Sequence, residues 1–474
     1  MATTNKKILE TKPLAFELEL SQSDDRLDCS WFNPIVENKI DKLKKYDRKL
    51  VRLKVLADVD GGKRLPKDTV ISEDENNVIP YIRAIDVKDL KINLESAVKI
   101  SKETHQGIQN YQLKQNDIAI TIVGTIGEVG LLEDKVEVCD FTENVARVRI
   151  TDESIVPKFL LHFLDSEYGK IQTERFSVGS LQYKLSLKSC RNIEVYLPII
   201  KGEIFDKKFQ EEILSDVYKI MKEADKKRQE ARRLIIESRS VVSKKIGLPF
   251  VFDKKKFRIF NKEIDINYNS RLDTLFNNPL HDELLKVLIR FPHRKLNNLA
   301  KFQENNKTKP SDFYNLIELE EINEETGKIS GSREVHKLES EKILLKKKTI
   351  ILSKLQPEKG KIAIVDEKFD GYVASSELVP LVLESTEVTL EYLWAVLRSE
   401  YVLDQWQFQL TGSSRMRIGS NEIKNTIIPM VNARKQMEIV EQINDYLKSS
   451  EKLFIQANEL NIKAKDHFVK LLVN

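Results

Sequence analysis

Two short loops carry side chains suited to reading a hydrogen-bonding surface. The stretch "SVGSLQYKLS" (177–186) offers Ser180, Gln182, Tyr183 and Lys184, and "TGSSRMRIGS" (411–420) offers Ser413, Ser414, Arg415 and Arg417. A glutamine amide presents a donor beside an acceptor, which suits adenine in the major groove of a duplex; arginine presents a fork of donors, which suits guanine. Gly179 and Gly412 leave room for close backbone approach. The same composition also makes an ordinary polar turn that caps a helix. Recurrence at the same place in two related stretches, with different side chains, is what favours the recognition reading.

A second pair of candidates is "TIVGTIGEVG" (121–130) and "SKLQPEKGKIA" (353–363). Its glycines invite a phosphate-loop reading, but there is no GK[ST] and no helix pattern follows, so a β-hairpin turn is expected. Thr125, Lys354 and Gln356 could still face a nucleic acid. Arg83 in "YIRAIDV", set opposite Asn315, is a further candidate, although an arginine at a strand end more often serves an ion pair.

Catalytic signatures are not found. The sequence has no Gly-rich methyl-donor loop with an Asn-Pro-Pro-aromatic partner, no Walker motif and no HExxH. The six histidines are scattered without ligand spacing, and acidic-x-Lys triplets occur as in any Lys/Glu-rich chain. His162 and His467 fall in helical patterns, where a structural role is expected. The chain reads as non-catalytic, with no metal site and no cofactor of its own.

The elements that must hold the loops come in two copies. "RLDCSWFNP" (26–34) resembles "RLDTLFNNP" (271–279), and a diagonal follows: "LKVLADV" with "LNNLAKF", "YIRAIDVKDL" with "FYNLIELEEI", "LKQNDIAIT" with "LKKKTIILS", "LDSEY" with "LRSEY", "GSLQYKL" with "GSSRMRI". This is a tandem duplication of a whole domain, each copy far longer than a solenoid repeat. Within each copy, short β-rich runs (117–123, 146–150, 349–355, 361–367) precede an amphipathic helical stretch (156–176, 390–410), so each copy is expected to be α+β.

Each copy ends in a long segment with a helical pattern, about 204–246 and 433–473. Heptad positions can be laid along both: Ile213, Val217, Ile220, Ala224, Lys227, Ala231, Leu234, Ser238 and Val241, then Val440, Ile443, Leu447, Ser450, Phe454, Ala457, Asn461, Ala464, Phe468 and Leu471. At about 1.5 Å per residue each helix would span roughly 60 Å. Alone, each would leave its seam wet, so antiparallel pairing in a coiled coil is expected. The polar positions Lys227, Ser238, Ser450 and Asn461 either set register or mark where the seam meets solvent or a partner.

Composition bounds the rest. The 474 residues are 41% hydrophobic, enough for two cores, and the formal charge of +4 means that any nucleic-acid site must come from local clustering. Three cysteines lie far apart with no CxxC, as expected of a reducing cytosol, and neither a signal peptide nor a membrane span is expected.

Taken together, the "RLD…NP" entries, "IPYIRAIDVKDL", "LKQNDIAITIVGTIGEVG", "LDSEYGKIQTERFSVGSLQYKLSLKSCRNIEVYLP" and the two spacer helices resemble the specificity (S) subunit of Type I restriction-modification systems. The segment after Pro198 departs from it, lacking the Pro-Pro-Leu-x-Glu-Gln signature that many members carry. The resemblance implies target recognition domains at 1–203 and 249–431, a central spacer helix at 204–248 and a C-terminal spacer helix at 432–474, related by a pseudo-twofold. It implies a cytoplasmic subunit that reads a bipartite site on double-stranded DNA and directs methyltransferase (M) and endonuclease/translocase (R) subunits in host defence. The methylated base is then adenine, and S-adenosylmethionine, ATP and Mg are expected in the partner subunits. The alternatives that the residues leave open are an enzyme or enzyme fragment with an unrecognised nuclease site, and a coiled-coil scaffold that binds proteins.

Overall fold

A computed structural model describes residues 48–67, 69, 78–134, 138–177, 183–200, 203–204, 206–248, 273–303, 313–338, 342–412 and 415–473. The described residues divide into two compact units, one of 48–225 with 457–473, the other of Lys226–Gln456.

In the first unit, short apolar-rich runs build β1 (Arg48–Arg52), β2 (Ala57–Gly61), β3 (Val78–Ile82), β4 (Ile118–Thr121), β5 (Val129–Leu131), β6 (Asp140–Phe141) and β7 (Val145–Ile150). Helices α1 (Pro157–Asp165) and α2 (Glu167–Phe176) follow, then β8 (Glu194–Ile200) and the long α3 (Lys207–Ile246). The main sheet runs β2-β7-β4-β5 and then two short strands, Leu90–Ile92 and Val87–Lys88. A smaller sheet holds β3 parallel to β6, and β1 pairs antiparallel with β8.

The second unit repeats this plan with β9 (His293–Lys295), β10 (Ala300–Phe302), β11 (Tyr314–Ile317), β12 (Thr349–Ser353), β13 (Ile362–Ile364), β14 (Val373–Ala374) and β15 (Leu378–Leu383). Then come α4 (Leu390–Leu397), α5 (Glu400–Gln407), β16 (Ile427–Pro429) and α6 (Ala433–Val473). Its sheet order is β10-β15-β12-β13, β11 lies parallel to β14, and β9 pairs with β16. Each half is α+β.

The duplication extends to single hydrogen bonds. Gln172 donates to the Glu194 carbonyl at 2.9 Å and accepts from its amide at 2.7 Å; Gln405 does the same with Ile427 at 3.1 and 2.9 Å. Gln210 and Gln436, one near the start of each long helix, each clamp the loop before α1 or α4, accepting from Val156 N–H at 2.8 Å and from Thr389 N–H at 3.0 Å. These buried amides satisfy backbone groups that strand and helix ends leave open.

The expected single helices over 156–176 and 390–410 are each broken. Ser166 and Ser399 adopt extended backbone between α1 and α2 and between α4 and α5, and both hydroxyls turn back to a carbonyl at 2.6 Å. Serine competes for backbone hydrogen bonds in this way, which periodicity does not register.

The long helices enter both cores. Ile213, Leu214 and Val217 of α3 pack with Ala464, Phe468 and Leu472 of α6 around Phe159 and Phe163 in the first unit. In the second, Ile235, Val241 and Val242 of α3 pack with Ile439, Ile443 and Leu447 of α6. In each unit an early part of one helix meets a late part of the other, so they run antiparallel there.

The seam follows the heptads with three slips. Ile235, Ile439 and Leu472 are buried where Leu234, Val440 and Leu471 were expected, as an untwisted 3.6-residue period drifts against 3.5. Lys227 donates to Gln456 at 3.0 Å, Ser238 bonds the Ile235 carbonyl, and the buried Ser450 hydroxyl has no partner among the described residues.

Candidate DNA-recognition surface

The two loops proposed separately in each half lie side by side. In the first half Val123 bridges Lys184, and Leu185 N–H donates to the Ile122 carbonyl at 2.9 Å. In the second, Leu355 bridges Arg417, Ile418 N–H donates to the Lys354 carbonyl at 3.0 Å, and Gln356 N–H to the Met416 carbonyl at 3.0 Å. The equivalent residues thus make the equivalent bonds in both copies. Each pair forms one surface where the sheet hairpin meets the loop after the helices.

Local chemistry sets these loops. "TIVGTIGEVG" is the connection between antiparallel β4 and β5, the expected hairpin. Thr121 closes it, accepting from Glu128 N–H at 3.0 Å and donating to the Thr125 carbonyl. Gly127 has φ +81, and a Cβ there would lie 2.7 Å from the Thr173 hydroxyl oxygen. In the second half Ser353 caps the turn, donating to the Leu355 carbonyl at 2.6 Å. Gln356 then takes φ 48, a left-handed conformation uncommon outside glycine, just before Pro357.

The first-half surface presents exposed Thr125, Lys184 and Tyr183, the last 59% exposed. Ser180, Gln182, Ser413 and Ser414 lie outside the described residues. In the second half Arg415 is exposed and makes no hydrogen bond or ion pair among the described residues. Arg417 forks onto Glu377, Nε at 3.2 Å and Nη2 at 2.7 Å, which raises the guanidinium pKa further. That hydrogen bond, with the nearby charges of Arg417, Lys354 and Arg415, holds the Glu377 carboxyl below the usual range. Lys354 and Gln356 are half-buried beside them.

Arg83 is engaged elsewhere. Its Nε and Nη2 donate to Asp86 at 3.0 Å each, and Nη2 also reaches the Ser96 carbonyl at 3.0 Å. Its counterpart is Glu318 rather than Asn315: Arg83 N–H bonds the Asp86 carboxylate at 2.9 Å as Glu318 N–H bonds Glu321 at 2.8 Å. The sequence diagonal slipped in this weakly similar block.

One basic loop escaped the sequence reading. After β2, "GKRLP" (62–66) packs along β7 and β6, with Gly62 N–H on the Val145 carbonyl at 3.4 Å and Lys63 N–H on the Phe141 carbonyl at 2.9 Å. A Cβ on Gly62 would lie 2.3 Å from two carbonyl oxygens, so glycine brings the loop in. Arg64 pairs with Glu143; burial raises that carboxyl's pKa, but the hydrogen bonds from Arg64 and Thr142 outweigh it. The double glycine before Lys63 and Arg64 was the available signal. Among the described residues no group of His, Cys, Asp and Glu could hold a metal ion, and no helix is long and apolar enough to cross a membrane.

A family model, the Type I restriction modification DNA specificity domain, matches residues 46–233, which hold β1 to α2, both first-half loops and the first part of α3. Residues 46–233 are thus similar to a Type I restriction-modification specificity domain. Over 131 residues the chain is 32% identical to the Type I restriction enzyme EcoBI specificity subunit of Escherichia coli; the match covers 28% of this chain and 27% of that protein's length. Among solved structures, the S subunit of the M. genitalium Type I restriction-modification system aligns over 91% of this chain and 97% of its own, at 12% identity and TM-score 0.39. The HsdS subunit of Thermoanaerobacter tengcongensis aligns over 90% and 97%, at 12% identity and TM-score 0.34. Scores this low add no weight to the assignment, which rests on the specificity-domain match.

Proposed function

We propose that this chain is the DNA-recognition subunit of a Type I restriction-modification system, each half reading one part of a bipartite duplex site. The observation that carries the reading is the paired-loop surface, built by equivalent hydrogen bonds in both halves but lined by different side chains, in a chain whose first half matches the specificity domain. A constant scaffold with variable side chains is what two reading heads of different sequence preference require. Thr125, Tyr183 and Lys184, with the basic residues Lys63 and Arg64, serve the first half-site; Lys354, Gln356, Arg415 and Arg417 serve the second. The antiparallel helices set the spacing between half-sites and receive methyltransferase subunits, with endonuclease subunits joining the complex. The chain itself does no chemistry; an adenine methyltransferase partner brings S-adenosylmethionine, and the endonuclease brings ATP and Mg. Such a complex acts on chromosomal and invading DNA in the cytoplasm.

Methylome sequencing of the host before and after deletion of the gene tests this reading. One bipartite motif should lose adenine methylation on deletion and regain it on complementation. An unchanged methylome would contradict it.

A further inference from the structure

The Arg417–Glu377 pair is anchored at both ends. Arg417 N–H donates to the Thr411 carbonyl at 2.9 Å, and the Arg417 carbonyl accepts from Thr411 N–H at 2.8 Å. The Glu377 carbonyl accepts from Lys354 N–H at 2.9 Å, and its own N–H reaches Ser375 Oγ at 3.4 Å. Neither backbone is free to follow the other side chain, so the carboxylate fixes where the guanidinium plane lies.

The orientation of the fork decides which donors remain. Glu377 takes the Nε–H and one Nη2–H, the side-on edge. A guanidinium has five N–H donors in a rigid plane, so among the described residues the other Nη2–H and both on Nη1 stay available at the far end. Two parallel donors presented end-on match O6 and N7 of guanine.

The fold does not require the pair. In the first half Asn144 stands in the place of Glu377, its carbonyl accepting from Ile122 N–H at 2.9 Å as Glu377's accepts from Lys354, and Lys184 stands in the place of Arg417. The carboxylate is present in the half that has the arginine. With the Arg417 side chain 45% exposed and that of Glu377 30% exposed, the pair adds little to stability.

We infer that Glu377 is a positioning residue for base recognition, holding Arg417 end-on to read one guanine in the half-site of the second half. This rests on the proposed recognition role. The competing arrangement is a mask, in which Glu377 neutralises Arg417 until DNA displaces it.

The test compares the full-length chain with Glu377→Ala, Arg417→Lys and the double variant, by competition among duplexes that carry each base at each position of both half-sites. Both single variants should relax the preference for guanine at the same one position, by roughly 5- to 150-fold, the range that a bidentate pair commands. The double variant should lose no more than Arg417→Lys alone, and thermal stability should not change. If Glu377→Ala leaves every base preference intact, or tightens binding to all sequences alike as removal of a mask would, the inference is overturned. It is also overturned if Arg417→Lys weakens all duplexes equally. A wild-type chain with no sequence preference would instead overturn the recognition reading itself.

Discussion

At the scale of single residues, exposure separates groups that hold the fold from groups free to meet a ligand. Arg415 is exposed and unengaged among the described residues, so Arg415→Ala should leave thermal stability unchanged. In the proposed role it should cost about 1–3 kcal/mol of binding and relax one half-site only; equal weakening on all sequences would mean a phosphate contact. His162 lies at the opposite extreme. It is 6% exposed, packed on Phe468 and 3.3 Å from the Tyr218 hydroxyl, and burial pushes its pKa from 6.5 down to about 4. The unfolded chain therefore binds a proton that the folded chain refuses between about pH 6.5 and 4, so this stability is full above pH 6.5 and falls on acidification. The loss should reach about 2 kcal/mol at pH 5 relative to pH 7.5. Denaturant titrations at the two pH values, wild type against His162→Gln, should show the difference shrinking in the variant. The structural role expected for His162 was legible because it sits on an apolar helical face. The partners of Arg83 and Arg417 were not, because Asp86 and Glu377 are among many acidic residues and only the fold chooses between them.

At the scale of elements, the sequence showed which segments repeat but not which loops meet. Adjacency of the hairpin loop and the post-helix loop follows from the sheet order β2-β7-β4-β5 and the bridge Val123–Lys184, contacts between residues far apart in the chain. Local patterns cannot encode these. The diagonal was reliable where long apolar runs fixed it, as between "LKQNDIAIT" and "LKKKTIILS". It slipped at Arg83, where the strands are short. The helix breaks at Ser166 and Ser399 were invisible because the apolar period continues across them. The duplicated amides Gln172 and Gln405 show what repetition preserved: each serves both backbone groups of one residue at the edge of β8 or β16. Gln405→Leu should leave the Ile427 N–H and C=O unpaired and destabilise its half by about 2–4 kcal/mol, and Gln172→Leu should do the same in the other half. Thermal melts of each variant would check this, and an unchanged midpoint would mean that water replaces the amide.

At the scale of the whole molecule, α3 and α6 contribute to both units and run antiparallel within each. Their ends dock differently. Lys465 of α6 pairs with buried Asp165 at 2.7 Å, whereas Arg239 of α3 shares the Glu324 carbonyl with buried Arg398, which stands in the place of Asp165. A duplicated plan has thus diverged in charge, and composition alone could not reveal it. The resemblance to Type I specificity subunits, read from the order of loose motifs, is matched by the family model over 46–233. In the proposed function, two heads joined by the paired helices read two separated DNA blocks. Selection of random duplex DNA by the full-length chain tests it most directly, alongside a variant that lacks four residues of 222–233 and a matched four in α6. The wild type should enrich two conserved blocks with a fixed run between them. The variant, with each helix about 6 Å shorter and just over one turn removed, should keep both blocks and narrow the run. A single enriched block, no enrichment, or the same spacing in both proteins would contradict the account.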